Sequence, residues 1–175
     1  WEGSMHAQSS ALKDPIHGAM YRKVMGDPTV EGLKSKKGKY PVCLKCHAPN
    51  AAIQKKTKVD AQPAFNEGVK CIVCHTITKF KGTEKPDGKL RLGVSAYEIS
   101  KSSLQAPSGK NYSTSPEAMN GSHSKPFHPY PMEGGNAALF KSSDMCMGCH
   151  AQRNNMHDIP VIPTGDELKA TDCAV

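Results

Sequence analysis

Apolar residues along the chain fall into short groups separated by glycine, proline and polar residues, so the pattern predicts short elements. The clearest helical signal is the stretch DPIHGAMYRKVMGDP, residues 14–28. Asp14 is placed to cap its N-terminus, a proline suits the first turn, and glycine and proline follow its end. Ile16, Met20 and Val24 recur on one face of this helix, which suits either the protein core or contact with a cofactor.

Three further segments carry local signals. Residues 78–94 are predicted to form a hairpin of short strands around a Pro-Asp-Gly turn at 86–88. Residues 100–135 are rich in turn-forming residues, and residues 136–155 are predicted to be largely helical, with Asn136 as a cap. No apolar run reaches the roughly 20 residues that span a bilayer, so no transmembrane segment is expected.

The composition predicts a thin side-chain core. Only 37% of the 175 residues are hydrophobic, and 13 prolines and 15 glycines interrupt the elements. The length suits a single domain over residues 1–175. Because the chain starts at Trp1 rather than Met, we expect that a leader has been removed or that the N-terminus is not included. Something other than apolar side chains must fill the middle of such a protein.

Three repeated pentapeptides indicate what occupies the centre of the protein: CLKCH (43–47), CIVCH (71–75) and CMGCH (146–150). Cys-x-x-Cys-His is the attachment sequence of haem c: two thioethers hold the haem and the histidine ligates its iron. The predicted attachment residues are Cys43, Cys46, Cys71, Cys74, Cys146 and Cys149. The predicted proximal iron ligands are His47, His75 and His150. We therefore expect at least three haem c groups.

A zinc site was the main alternative for the paired cysteines. Cys43, Cys46, Cys71 and Cys74 have roughly zinc-ribbon spacing. That interpretation leaves the third pair and the histidine after each second cysteine unexplained, and no βαβ pattern indicates a thioredoxin-like site. Haem attachment of this type takes place outside the cytoplasmic membrane, so a periplasmic or extracellular protein is predicted.

Five further histidines supply candidates for the sixth ligand of each iron. They are His6, His17, His123, His128 and His157. Their surplus over the three motifs favours bis-histidine haems. Methionine is the rival ligand, but the eight methionines are more readily explained as soft apolar surface against porphyrin.

The formal charge of +7 comes from lysine clusters at 34–39, 55–58 and 79–85. Glycine and threonine, rather than runs of stacking aromatic residues, are interleaved with these lysines, so a solvated basic face is favoured over nucleic-acid binding. Redox partners meet through complementary charge, so an acidic partner docking near Lys34–Lys39 and Lys79–Lys89 is predicted. No nucleophile elbow, P-loop or dinucleotide fingerprint is present, so an electron carrier is predicted rather than an enzyme.

Between and around the motifs, the stretches WEGSMH, GSHS, LFKSSDMCMGCH and IPVIPT occur in this order. This set resembles the tetrahaem cytochrome c-554 family. It is also similar to the cores of larger multihaem enzymes of the hydroxylamine oxidoreductase and octahaem tetrathionate reductase type. The resemblance implies that His6 and His123 are distal ligands, and that haems lie in closely spaced pairs suited to electron hopping.

Cys173 in the final TDCAV is the one cysteine outside a complete motif. Members of the resembled family carry a further Cys-x-x-Cys-His at about this place. We therefore expect Cys173 to be the first residue of a fourth haem motif cut by the end of the sequence; the alternative is a free C-terminal thiol.

These observations predict a mainly α protein with much irregular structure and a small β-hairpin, in which covalent haems form the core. The predicted function is electron transfer between closely spaced bis-His haems. Two alternatives stay open at this point. One is a subunit that polymerises head to tail into an extracellular haem filament. The other is a fragment of a multihaem oxidoreductase that acts on nitrogen or sulfur oxyanions at a haem with an open coordination position.

Overall fold

A computed structural model describes residues 1–112 and 131–151 of the chain. The α-helices are short: α1 Pro15–Val24, α2 Leu44–His47, α3 Pro49–Ile53, α4 Pro63–Asn66, α5 Cys71–His75, α6 Ala137–Phe140 and α7 Asp144–His150. The strands are β1 Ile77–Phe80, β2 Tyr97–Ile99, β3 Leu104–Gln105 and β4 Met132–Glu133, and a 3₁₀ turn covers Gly93–Ala96. The expected irregular structure and small sheet are confirmed. Within residues 1–112 and 131–151, the helices are fewer and shorter than a mainly α protein implies.

The frequent prolines explain the short helices. Proline occupies one of the first positions of α1, α3 and α4, where its missing N–H costs nothing, and it starts a new element each time. The described chain divides into two compact units. The first comprises residues 1–73 and 91–95, and the second comprises 74–90 and the described residues from 96 onward.

The first unit has a small apolar core. Its buried members come from α1 to α4 and the segments beside them: Ala11, Tyr21, Leu44, Ala48, Ala51, Val59 and Phe65. The partly buried side chains that pack against this cluster are Leu12, Met25, Leu33, Tyr40, Cys43 and Ala52. We call this set the first core. Alanine supplies three of its seven buried members, so the contact between its elements is close but small in area.

Helix α1 begins as the sequence predicts. The Asp14 carboxylate accepts hydrogen bonds from the backbone N–H of Ile16 at 2.9 Å and of His17 at 3.0 Å. The opposite face from the expected one is buried, because His17 and Tyr21 point inward while Ile16 is 74% exposed. Met20 and Val24 are exposed as well. Of the two interpretations left open for this apolar face, packing in the side-chain core is excluded by its exposure, and contact with a cofactor stays a prediction.

In the second unit, β1 and β2 pair in antiparallel register, with Phe80 opposite Tyr97. The tip of the hairpin closes at the predicted turn, where the N–H of Lys85 bonds to the carbonyl of Lys89 at 2.9 Å. The second strand lies beyond the predicted end at residue 94, because the 3₁₀ turn Gly93–Ala96 precedes it. The hairpin is thus confirmed, but it extends over residues 77–99 rather than 78–94.

The predicted helix over 136–155 is broken in the described part. It forms α6 and α7, and residues 141–143 separate them. The side chain of Asn136 does not cap α6; its amide donates to the carbonyl of Ile77 at 3.2 Å. The core of this unit joins Ile77, Ala96, Tyr97 and Leu139. Strands β3 and β4 pair in parallel through Leu104 opposite Met132. No described helix is long and apolar enough to cross a membrane.

Candidate haem centres

Each of the three Cys-x-x-Cys-His motifs lies on a short helix that ends at the motif's histidine. These helices are α2, α5 and α7. In a helix the first cysteine, the second cysteine and the histidine are three and four residues apart and therefore lie on one side. In the first motif the N–H of His47 bonds to the carbonyl of Cys43 at 3.0 Å. Helical geometry thus presents all three side chains of a motif together.

His47 is held by a backbone contact from the N-terminal segment. Its Nδ1 lies 2.9 Å from the carbonyl oxygen of Ser9, and a carbonyl accepts only, so Nδ1 donates the proton. The Ser9 hydroxyl also lies 3.3 Å from the His47 carbonyl oxygen and donates to it. A hydrogen bond of this kind fixes the tautomer and the ring orientation of a metal-binding histidine. It leaves Nε2 of His47 available as a ligand.

His17 packs directly on His47. The two ring centroids are 3.7 Å apart and the ring planes differ by 12°. His17 is buried, and within the described residues its Nε2 has no hydrogen-bond partner. Burial, together with the charge of nearby His47, lowers the pKa of His17 to about 4, against an opposing effect of Asp14. At neutral pH His17 is therefore an uncharged imidazole, which is the form that binds a metal.

These two histidines are the side chains that would hold one haem iron between them, as the predicted ligands of the first motif. A buried nitrogen without a partner costs free energy, and a metal between the rings would pair it. Both candidates thus bring an Nε2 atom to one place, and Nδ1 of His47 is already bonded to the Ser9 carbonyl. Axial ligands point at the iron end-on, whereas His17 and His47 are stacked face to face. The rings must therefore move apart when a haem lies between them.

His75 is held in the same way as His47, but from strand β3. Its Nδ1 lies 2.9 Å from the carbonyl oxygen of Gln105, and its ring centroid lies 5.2 Å from that of Phe140. The Gln105 side chain is buried, and its amide nitrogen has no partner in the described part of the chain. The ring of His75 thus has a fixed tautomer and an adjacent buried donor.

The third motif is anchored by Tyr97. This buried hydroxyl accepts from the N–H of Gly148 at 2.7 Å and donates to the carbonyl of Met145 at 2.8 Å. A Cβ atom on Gly148 would lie 2.4 Å from Cε2 of Tyr97, so the close approach of the ring requires glycine in Cys-Met-Gly-Cys-His. Burial raises the pKa of Tyr97 well above its usual range, and the hydroxyl stays protonated.

The other predicted ligands are only partly described. His6 lies on an exposed turn, and its carbonyl accepts from the N–H of Val69 at 2.8 Å, shortly before α5. Its role as a distal ligand stays a prediction. His123, His128, His157 and Cys173 lie outside the described residues.

Sequence reasoning missed Ser9, Gln105 and Tyr97. Two of them act through backbone carbonyls, which leave no trace in the residue type. Glycine at position 148 was the single usable signal for the third, because an element-interior glycine often marks a close approach.

Among residues 1–112 and 131–151, no three His, Cys, Asp or Glu side chains are grouped so as to hold a metal ion by themselves. The four-thiolate site of the zinc alternative is thus not formed in the described chain. Cys71 and Cys146 are exposed, and the other four motif cysteines are half-buried.

Comparison with known proteins agrees with the haem interpretation. A family model described as cytochrome c554 and c-prime matches residues 1–76. The crystal structure of a penta-haem cytochrome c552 from Thermochromatium tepidum is similar, with 44% sequence identity and a TM-score of 0.82. The match covers 100% of this chain and 48% of that one, so the chain spans about half the length of this relative. A comparison with curated proteins gave no match.

Proposed function

Because this chain is a multihaem c-type cytochrome, we propose that it carries electrons between redox partners through several covalently bound haem c groups. The observation that carries the proposal is the 44% identity to a penta-haem cytochrome over the whole chain. When bound, haem supplies a one-electron Fe(III)/Fe(II) couple, and the polypeptide sets its potential through ligands, burial and nearby charge.

For the first haem, attached at Cys43 and Cys46, we propose His47 as the proximal ligand and His17 as the distal ligand. The support is the contact of the two rings at 3.7 Å and the buried, unpartnered Nε2 of His17. The Asp14 cap fixes the first turn of α1 and therefore the position of His17. Two imidazole ligands favour a low potential relative to a His/Met haem.

For the second haem, at Cys71 and Cys74, His75 is the proposed proximal ligand. The carbonyl of Gln105 accepts from its Nδ1, which raises the basicity of the imidazole. For the third haem, at Cys146 and Cys149, the proposed proximal ligand is His150. Distal roles for His6, His123 and His157, and a fourth haem at Cys173, remain part of the proposal.

The surroundings of these sites complete the proposal. A protein with this kind of haem attachment belongs in the periplasm or outside the cell. The formal charge of +7 favours acidic redox partners. Neither the haem filament nor the oxidoreductase fragment is favoured by an observation on this chain.

The test is reduction of the purified holoprotein under anaerobic conditions. We expect the methyl viologen radical to reduce every haem within the mixing experiment, and the optical spectrum to stay low-spin through a complete potentiometric cycle. Carbon monoxide should not bind the reduced native protein, since each iron holds two protein ligands. Haems that viologen does not reduce would contradict the carrier role. A native haem that binds carbon monoxide would favour a catalytic site.

A further inference from the structure

Two lysine-rich segments that are separate in sequence lie side by side in the first unit. Tyr40 directly follows Lys39 in the chain, and its hydroxyl donates to the carbonyl of Lys56 at 2.7 Å. The N–H of Leu33 donates to the hydroxyl of buried Thr57 at 3.1 Å. These contacts join residues 33–40 to residues 56–57. The structure therefore merges what the sequence presents as two clusters.

We call the merged set the lysine surface. Its members are exposed, and no ion pair within the described residues involves them: Lys34, Lys36, Lys37, Lys39, Lys55 and Lys56. A closed turn orders the first four, because the N–H of Ser35 bonds to the carbonyl of Lys39 at 2.8 Å. Unneutralised charges on an ordered backbone produce a strong local field.

The neighbouring acidic groups are already engaged. The Glu31 carboxylate accepts from the backbone N–H of Thr57 at 3.3 Å and of Lys58 at 3.1 Å. Asp60 pairs with Lys58 at 2.9 Å. Both carboxylates lie beside the lysine surface and offset part of its charge. Two carboxylates against six lysines leave the net charge of the surface positive.

Lys55, a member of the lysine surface, has an unusual backbone conformation. It has φ +56°, and it is the one non-glycine residue with positive φ among those described. Helix α3 ends there in a Schellman motif: the N–H of Lys56 bonds to the carbonyl of Ala51 and that of Lys55 to the carbonyl of Ala52. Glycine or asparagine suits this left-handed position better. The helix end requires this left-handed conformation, and a lysine there adds a charge to the lysine surface at some cost in backbone strain.

The lysine surface is mounted on the same core as the first haem attachment. Leu33 and Tyr40, which flank the closed turn, pack against the first core together with Cys43. Ala52, near the end of α3, packs there too. A protein bound to the lysine surface would thus contact segments that pack on the same core as Cys43, the first cysteine of the first haem motif.

We propose that the lysine surface is the docking site of an acidic, one-electron redox protein that exchanges electrons with the haem attached at Cys43 and Cys46. The inference rests on the electron-carrier function proposed above. In the reducing direction, the partner's reduced centre loses one electron and the iron passes from Fe(III) to Fe(II). No bond forms or breaks. Such encounters are fast, brief and guided by complementary charge.

The test uses stopped-flow reduction of the holoprotein by a reduced acidic flavodoxin as the probe. The variant K34Q/K36Q/K37Q/K39Q removes four charges from the lysine surface. We expect its second-order rate at low salt to fall by about 10-fold or more, because charge steering raises association rates by about 10–1000-fold. The wild-type rate should fall steeply as salt is added, and the variant's should not.

The matched control is K23Q/K101Q/K110Q/K141Q, which removes the same number of charges from exposed lysines outside both segments predicted to dock a partner. We expect it to keep most of the flavodoxin rate. An equal loss in both quadruple variants would overturn the proposal, because net charge rather than location would then decide the rate. A loss confined to the control would place docking away from the lysine surface and would overturn the proposal too.

Substitutions at Lys55 provide a second, independent test of the docking site. Lys55→Gly relieves the left-handed conformation, so we expect an equal or higher melting temperature together with a flavodoxin rate reduced by about 2-fold or more. Lys55→Arg keeps the charge and should keep the rate. An unchanged rate in Lys55→Gly would remove Lys55 from the docking site.

Reduction by the methyl viologen radical cation separates this inference from the carrier function. Its rate should not fall in any lysine variant, since a cation gains nothing from a basic surface. If viologen reduces the haems while flavodoxin rates ignore the lysines, the docking site is wrong and the carrier function stands. If viologen fails to reduce wild-type protein, the carrier function itself is wrong.

Discussion

Replacing Tyr97 by phenylalanine tests how the third haem motif is held. The change removes one oxygen and keeps the buried ring in place. The N–H of Gly148 then loses its acceptor at 2.7 Å, and the carbonyl of Met145 loses its donor at 2.8 Å. Leaving a buried polar group unpaired costs about 1–3 kcal/mol. The fall in melting temperature should be roughly 4–8 °C for each kcal/mol in a unit of this size.

The assay is thermal unfolding of the holoprotein, followed by far-UV circular dichroism and by the Soret band. Tyr112→Phe is the matched control, because the Tyr112 hydroxyl contacts Ser108 in an exposed position. We expect the control to change stability by less than about 0.5 kcal/mol. Equal melting temperatures for Tyr97→Phe and Tyr112→Phe would refute the anchoring role of Tyr97.

The remaining predictions concern three other places. Asp14→Ala should lower the melting temperature and the helical signal of α1, while Asp14→Asn, which also caps, should change both less. Backbone N–H groups, first that of Lys58, lower the pKa of Glu31 below its usual 4.5. The stability that this carboxylate provides is therefore full above pH 4.5 and is lost as pH falls through the lowered pKa; an acid titration of Glu31→Gln should lack that loss. Joint replacement of Cys71 and Cys74 by alanine should prevent cooperative folding, measured calorimetrically, if haem fills the core; a compact two-haem protein would contradict this.

The sequence identified those parts of the protein that depend on local chemistry. The start of α1 at Asp14, the turn before Lys89 and the three haem motifs all follow from residues within a few positions of one another. The comparisons support the predicted class of protein, a multihaem c-type cytochrome. The sequence could indicate this class because a covalent haem site is a short contiguous motif.

Features that depend on distant contacts were not predictable. Which face of α1 is buried depends on its packing against residue 11: a Cβ on Gly18 would lie 2.4 Å from the Ala11 carbonyl oxygen, so this face lies close and Ile16 is turned outward. The break between α6 and α7 contradicts a continuous helical pattern, and Asn136 bonds to a strand instead of capping. Backbone carbonyls that orient histidines, as at Ser9, carry no sequence signal.

The most direct test of the central claim is electron paramagnetic resonance of the oxidised holoprotein before and after His17→Ala. We predict that one low-spin ferric signal is lost, that a high-spin signal of equal intensity replaces it, and that added imidazole restores the low-spin form. Circular dichroism should show α1 intact. An unchanged low-spin spectrum in the folded variant would contradict the pairing of His17 with His47 across one haem.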